Sequence, residues 1–330
     1  MKSPSVHILW KFNDGPWGGG NQFLKALRKE LLEQGYYTET PEQADIILFN
    51  SHQHQKQLLQ LKKRYPDKIF VHRVDGPLSH TRGKSGITTD RKIFYCNEIV
   101  ADGTIFQSQW SREESYRCGI KEQPFEACII NAPDPGIFHP TRKYASHDRI
   151  RLIATSWSAN PRKGFDVFHY LDHHLDFGRY SMMFVGNTEQ AFKNIKTIAP
   201  QPSAQLADLL RSHDIFIAAS KGEPCSNSFL EALHCGLPAV ARNDASYPEL
   251  LGDNGLLFEG TADVIDKINT LAENIDNYRN KIKVHNINEI TEAYLTFFRQ
   301  LKNCAIQKAF TPKRLSILKY YLIRVRLKTM

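Results

Sequence analysis

Short apolar runs recur along the chain, and segments with helical spacing lie between them. Val6–Phe12, Ala44–Asn50, Lys68–Val74, Thr104–Gln107 and Ala127–Asn131 read as buried strands in the first half. Helical patterns fall between them, for example Asn21–Gln34, which Gly35 stops, and Gln109–Cys118. The second half repeats the alternation. Ile150–Ser156, Ser181–Val185, Ile195–Ala199, Ile215–Ala219 and Ala239–Arg242 read as strands, with helices near Gly164–Leu175, Ser203–Ser212 and Ser226–His234. Strand and helix alternating throughout predicts an α/β protein of two halves, each a doubly wound and mostly parallel sheet. The break falls in Asn131–Asp148, which is rich in Pro, Gly and Asp and has no clear period. There is no internal repeat and no low-complexity segment.

A length of 330 residues is long for one hydrophobic core and comfortable for two. Apolar and charged content are ordinary for a globular protein. No run of 18 apolar residues exists, so no membrane-spanning helix is expected. The amino terminus leads directly into the strand Val6–Trp10 without a basic and then apolar leader, which predicts no secretory signal and a cytoplasmic protein. Six dispersed cysteines without a C-x-x-C pair read as reduced thiols.

Charge changes the picture in one place. Of the net +8, residues 305–330 contribute +7 and hold no acid. The basic signal therefore belongs to a tail and not to a face that tracks a nucleic acid. Its cations alternate with Leu315, Ile317, Leu318, Tyr320, Tyr321, Leu322, Ile323, Val325 and Leu327. Two readings fit that mixture: a segment lying on an anionic membrane surface, or a helix packed on the protein with a solvated basic face.

Candidate chemistry concentrates after the strand Ile215–Ala219. The chain turns through Gly222-Glu223-Pro224, opens a helix at Ser226 and Asn227, and ends it with Gly236-Leu237-Pro238 before the next strand. Two carboxylates result, Glu223 in the loop and Glu231 in the helix. Open α/β sheets bind ligands outside the carboxyl ends of their strands, and a helix N-terminus there favours a phosphate. Two acceptors beside a phosphate site suit a ligand carrying phosphate and hydroxyls, which describes a nucleotide sugar.

This stretch resembles the donor-binding signature of the family 4 glycosyltransferases, which have the GT-B fold. Their pattern is Glu, seven residues, Glu, then Ala and a Gly-x-Pro turn; Glu223, Glu231 and Gly236-Leu237-Pro238 match it. Ile129–Asp134 with Phe138 and Pro140 resembles the family's interdomain segment, Phe106–Ser111 the turn before it, Thr155–Asp166 the first turn of the donor domain, and Phe184–Asn187 its second strand. The likeness covers roughly residues 6–260. It implies two Rossmann-like domains facing a central cleft: residues 1–140 on the acceptor side, 141–290 binding the nucleotide sugar, and 291–330 as C-terminal helices that cross back toward the first domain and end in the basic tail.

The resemblance also implies roles. Glu231 holds the ribose hydroxyls, Glu223 the sugar hydroxyls, and Lys163 the diphosphate. Gly186, Ser226 and Asn227 line the donor. The glycine run Gly15–Gly20, with Gly19 and Gly20, reaches the donor phosphate. Ser158 stands where the family usually has an Arg, and Arg162 is the nearest substitute. In the first half, His72-Arg73-Val74-Asp75 ends a strand. The resemblance puts this cluster at the family's acceptor-side catalytic position: Asp75, suited to a hydroxyl or its proton, and His72, suited to the wall of the sugar pocket, are with Glu223 the expected catalytic residues. A buried Arg73–Asp75 ion pair is the alternative for this cluster.

Other chemistries lack support. There is no D-x-D, so a metal-dependent GT-A transferase is not expected, and neither a metal nor another cofactor is called for. G-x-G-x-x-G, H-E-x-x-H, G-x-x-x-x-G-K-[ST] and G-x-S-x-G are all missing. The expected protein is a retaining hexosyltransferase-type enzyme that moves a sugar from a nucleotide donor to a glycan or lipid-linked glycan, in cell-surface polysaccharide biosynthesis. Its expected partners are the donor, the acceptor and an anionic membrane surface met by residues 311–330, with no nucleic acid. It is placed in the cytoplasm or at the inner face of the membrane. A nucleotide-sugar epimerase on the same fold and a non-catalytic nucleotide- or carbohydrate-binding protein are the alternatives.

Overall fold

A computed structural model describes residues 4–15, 18–140, 148–189 and 191–330. Pro16 and Trp17 of the glycine-rich run, residues 141–147 of the expected interdomain break, and Gln190 lie outside the described residues. In chain order the elements are β1 (Val6–Leu9), α1 (Gly19–Glu33), β2 (Ile46–Asn50), α2 (Gln55–Arg64), β3 (Ile69–Val74), α3 (Ser79–Arg82), α4 (Lys84–Val100), β4 (Gly103–Phe106), α5 (Gln109–Arg117) and β5 (Glu126–Cys128). Then come β6 (Ile150–Ser156), α6 (Phe165–His174), β7 (Tyr180–Gly186), β8 (Lys196–Ile198), α7 (Ser203–Arg211), β9 (Ile215–Ala218), α8 (Asn227–His234), β10 (Ala239–Arg242), α9 (Tyr247–Leu251), β11 (Gly255–Phe258), α10 (Val264–Ala272) and α11 (Ile275–Arg279). Two helices follow, α12 (Ile287–Ile306) and α13 (Ile317–Thr329). Contacts divide the chain into unit 1 (residues 1–12, 24–130 and 287–330) and unit 2 (residues 13–23 and 131–286).

Unit 1 carries a five-stranded parallel sheet ordered β1-β2-β3-β4-β5. Its first four strands are buried along their whole length, which is why they read as largely apolar runs, interrupted by His7, His72, Arg73 and Thr104. A sheet that advanced only in this direction would place every right-handed crossover on one face. The reversal comes from a single residue. Tyr37, after α1, bridges Val6 on the edge of β1 away from β2, with Val6 N–H donating to the Tyr36 carbonyl and Thr38 N–H to the Val6 carbonyl.

The carboxyl-terminal helices complete unit 1. Phe297 and Leu301 of α12 pack against Gly103 at the start of β4, and Lys302 pairs with Asp45 at 2.8 Å. Beyond α12, Lys313 N–H donates to Asp102 Oδ1 (2.7 Å), while the buried Lys62 ammonium holds Oδ2 (2.8 Å). Asp102 Oδ2 also accepts from Phe70 N–H, so one buried carboxylate ties α2, β3 and the C-terminal segment together. Leu315, Tyr320, Ile323 and Leu327 then enter the core with Ile47, Phe49, Leu58, Leu59 and Phe70. One face of the basic tail is thus packed on the protein. Among the described residues, no helix is long and apolar enough to cross a membrane.

Unit 2 carries a six-stranded parallel sheet ordered β11-β10-β9-β6-β7-β8. The chain leaves β6 toward β7 and β8, then returns to the other side of β6 for β9, β10 and β11. The switch point lies between β6 and β9. Crevices for ligands open at the carboxyl ends of the strands at such a point. The core beneath gathers Leu152, Phe168, Phe184, Ile215, Ile217, Val240 and Ile268.

Candidate donor site

The loop after β9 is held from two sides. Lys221 N–H donates to the Arg162 carbonyl at 2.7 Å, and Gly222 N–H to Asp244 at 2.6 Å. The Glu223 carbonyl accepts from the backbone N–H and the hydroxyl of Ser246. Helix α8 then runs to Cys235. Leu237 N–H donates to the Ala232 carbonyl and Gly236 N–H to that of Leu233, a Schellman ending with Gly236 at φ +85°. Ser226 occupies the N-cap position, but its side chain does not cap α8. Its hydroxyl lies 3.3 Å from that of Ser228 instead. Ser is a favoured N-cap residue, but here the N–H groups of the first turn are left without that acceptor.

Every residue of α8 from Phe229 to His234 is buried. Glu231 is carried inside with them and is 7% exposed. No described residue bonds its carboxyl, and burial alone pushes its pKa up to about 8. This is not the solvated helix-start carboxylate that an isolated Glu would be.

A second turn meets the loop. After β6, Asn160 caps a short 3-10 turn over Pro161–Lys163 by accepting from Arg162 N–H. Gly164 follows at φ +93°, and a Cβ there would fall 2.4 Å from the Ala219 Cβ and 2.6 Å from its carbonyl oxygen. Only glycine lets this turn approach the end of β9 so closely. The approach brings Lys163 to Glu223, and the two form an ion pair. Arg162 is exposed, with no described partner for its guanidinium. Ser158, in place of the family's Arg, uses its hydroxyl to accept from Asn160 N–H at 3.2 Å.

Gly186 ends β7 opposite Ser156, where a Cβ would lie 1.9 Å from the Ser156 carbonyl oxygen. Its glycine is required by the close packing of β7 against the end of β6. Gly19 lies against Asn227 at the start of α8, the nearest side-chain atom being 2.5 Å from where a Cβ would stand. Asn227 accepts from Asn131 at 3.1 Å. Gly20, in the first turn of α1, has open space around it. Asn21 steadies this segment by bonding both the N–H and the carbonyl of Asn13.

Sequence reasoning did not single out the supports of this site. Asp166 takes a bidentate bond from Arg242 (3.0 and 2.9 Å) and an ion pair from Lys221 (3.0 Å), locking β10, α6 and the loop together. Tyr247 is fully buried and stacks edge-on against Phe229 of α8, ring centroids 5.3 Å apart. Trp157, at the carboxyl end of β6, is 48% exposed and presents an aromatic face. The signal for Asp166 was its place in the first turn of α6, a position where acids recur for helix-dipole reasons and so stand out little.

In unit 1, β3 ends in His72-Arg73-Val74-Asp75. The expectation that His72 lines a pocket is overturned. Its ring is fully buried, stacks on Phe49 at 4.3 Å and has both nitrogens occupied: Nε2 donates to the Ser51 carbonyl and Nδ1 accepts from the Asn97 amide. Burial depresses its pKa to about 4, so it is a neutral core residue and not an acid or base. The Arg73–Asp75 ion pair forms at 2.9 Å. Arg73, wholly buried, also bonds Asn50 and Gln107, and each of these donates to Asp75 in turn. Asp75 nonetheless keeps 28% of its side chain exposed. A carboxylate offers about four lone-pair directions, so one remains for a hydroxyl. Asn50 closes β2 and Gln107 directly follows β4, and a polar residue at the end of a strand is too ordinary to stand out in the sequence.

His80, Glu114 and Cys118 also meet in unit 1, with their ligand atoms within 4.8 Å. Glu114 already takes a hydrogen bond from the His80 ring on one oxygen and Arg117 on the other. The trio is satisfied without an ion.

The family sequence model described as glycosyl transferases group 1 matches residues 158–274, the stretch that holds Lys163, Gly186, Glu223 and Glu231. A protein of Sulfolobus islandicus rod-shaped virus 1, called uncharacterized protein 356, is 22% identical over 233 residues, 58% of this chain and 65% of that protein. The chain therefore spans just under two thirds of that curated relative. Among solved structures, sucrose-phosphate synthase from Thermosynechococcus elongatus superposes with a TM-score of 0.67 at 13% identity, covering 93% of this chain and 99% of that one. HepE from Anabaena, solved with UDP-glucose, gives 0.64 at 17% identity over 92% and 100% of the two chains. Residues 158–274, within unit 2, thus match the group 1 glycosyltransferase model, and the two parallel sheets of this chain have the fold of these GT-B glycosyltransferase structures.

Proposed function

We propose that the protein transfers a hexosyl group from a nucleoside diphosphate sugar to a hydroxyl acceptor, with retention and without a metal. The observation that carries this reading is Glu231: a buried carboxyl without a donor, on the helix that follows the Lys163–Glu223 pair. A buried polar group left unpaired is costly. Vicinal ribose hydroxyls supply the two donors that a carboxylate there lacks.

The remaining roles belong to the same reading. The α8 N-terminus and Lys163 face the diphosphate, where they stabilise the charge that develops as it leaves. Gly19 and Gly20 allow backbone to approach the phosphates. Gly186 shapes the floor of the site, Asn227 and Ser226 its wall, and Arg162 supplies a second cation from solvent. Glu223 passes from Lys163 to the sugar hydroxyls. Asp75 receives the acceptor hydroxyl on the first unit. HepE has been solved with UDP-glucose and with UDP, so a uridine diphosphate sugar heads the donors to be tried. The acceptor class is a glycan or lipid-linked glycan of a surface polysaccharide.

Incubating labelled nucleotide sugars with candidate acceptors tests the proposal. Label appearing in a glycoside supports it; an epimerised free donor, or binding without turnover, replaces it by one of the other readings. Because the sequence has no D-x-D, transfer is expected to proceed at an unchanged rate in excess chelator. Reversible loss of activity on chelation contradicts this mechanism.

A further inference from the structure

Helix α13 is apolar on two opposite faces. Tyr320, Ile323 and Leu327 are buried against the core of unit 1. Ile317, Leu318, Tyr321, Leu322 and Val325 are 55–70% exposed, and they are five of the ten large apolar side chains exposed among the described residues. That concentration sets this helix apart from scattered surface leucines, which need no explanation. At about 100° of rotation per residue, the exposed set lies opposite the buried one. Lys319 and Arg326 flank it on one side, Arg324 and Lys328 on the other.

The cations add to this arrangement. Residues 305–330 contain seven basic residues and no acid. Lys319 and Lys328 are exposed and form no ion pair among the described residues. From α2, Lys63 places its ammonium over the rings of Tyr320 and Tyr321, at 4.9 and 5.8 Å, on the same side of unit 1. An apolar stripe between two rows of cations is the pattern of a helix lying in a bilayer interface, apolar side chains below the headgroups and Lys/Arg among them. A second copy of the chain fits less well, because two such faces would bring like charges together.

We infer that the outer face of α13 docks this protein on an anionic membrane, with Ile317, Leu318, Tyr321, Leu322 and Val325 inserted and Lys319, Arg324, Arg326 and Lys328 against the lipid headgroups. The inference goes beyond the transfer reaction and does not depend on it. Deleting the tail is not a usable test, since Leu315, Tyr320, Ile323 and Leu327 belong to the core. Point changes at exposed positions leave that core intact.

The experiment is co-sedimentation of the full chain with phosphatidylcholine vesicles, with and without phosphatidylglycerol, at low and high salt. Binding is expected to the anionic vesicles only, and to weaken in high salt. K319Q/K328Q should lower the partition coefficient about thirty-fold, from about 1 kcal/mol per cation. L318S/L322S/V325S should abolish binding while the thermal midpoint stays that of the parent. Failure of the parent to bind anionic vesicles at low salt overturns the inference. So does equal binding by the charge variant, or a parent dimer in sedimentation velocity that the apolar variant converts to monomer.

Discussion

Replacing Lys163 by Ala is expected to lower turnover by about 10²–10³-fold, the range for losing one preorganised group that stabilises transition-state charge, roughly 2.7–4 kcal/mol. The ammonium stands on the turn after β6, and Gly164 presses that turn against the end of β9. In the free protein the charge is spent on Glu223. A donor diphosphate carries more negative charge than one carboxylate and competes for it, freeing Glu223 for sugar hydroxyls. The two residues should then behave as one unit. Glu223→Gln should also lower turnover, and the double variant should lose less than the sum of the single losses. Lys163→Arg should not restore full activity, because a planar fork cannot replace a compact cation in a pocket built around it. Nucleoside binding should change little, since Lys163 acts on phosphate. Initial rates at saturating donor, with calorimetry for nucleoside and nucleoside diphosphate, check all of this. A turnover within threefold of the parent for Lys163→Ala removes Lys163 from the mechanism.

The regular part of the fold was legible because buried parallel strands leave an unambiguous trace. β6 and β10 match their sequence-predicted bounds, Ile150–Ser156 and Ala239–Arg242, residue for residue. What escaped is polar where a simple pattern would be apolar. Helix α4, Lys84–Val100, was missed because Asp90 and Asn97 occupy buried positions on it. Asp90 accepts from the N–H groups of Leu78 and Ser79, and Asn97 bonds His72 and Thr104. Helix α2 was missed because most of its residues are polar. Such positions are stabilised by long-range partners that no local window contains.

The candidate site divides the same way. Glu223 and Glu231 were legible from the turn and helix after one strand, Lys163 came from the family resemblance, and the fold brings Lys163 to Glu223 across 60 residues of sequence. The misreading of His72 has the opposite cause. Its strand ends in charged residues, which suggested a site, but β3 lies inside the sheet with both faces covered. Residues two apart on a strand share a face, and adjacent ones do not. His72 therefore lies off the face that carries Arg73 and Asp75 is reached only past the strand's end.

Nucleotide affinity is expected to rise steeply between pH 6 and pH 8, and Glu231 to be the reason. In the free protein burial holds its proton up to about pH 8. Ribose hydroxyls are donors, and they bond best to the ionised carboxylate, which accepts on both oxygens. Binding therefore draws the proton off. If only the ionised form accepts the diol, affinity gains about tenfold per pH unit below the free-protein pKa and levels off above it. The same proton sets a stability slope of opposite sense. An unfolded Glu ionises near pH 4.5 and the folded one near pH 8, so the folded state holds the extra proton between them. The stabilisation from this is complete below pH 4.5 and is lost as pH rises toward 8, by an amount on the order of a few kcal/mol. Glu231→Gln keeps the size and removes the proton, so it should flatten the stability slope and bind nucleotide about equally at pH 6 and pH 8. At pH 8 it should bind more weakly than the parent by about 1–3 kcal/mol, the worth of charge-assisted bonds to one group. Calorimetry in buffers of different ionisation enthalpy reads the proton released on binding, and urea unfolding at several pH values reads the slope. A parent whose affinity is flat from pH 6 to pH 8, with no proton released, takes Glu231 out of the ribose site.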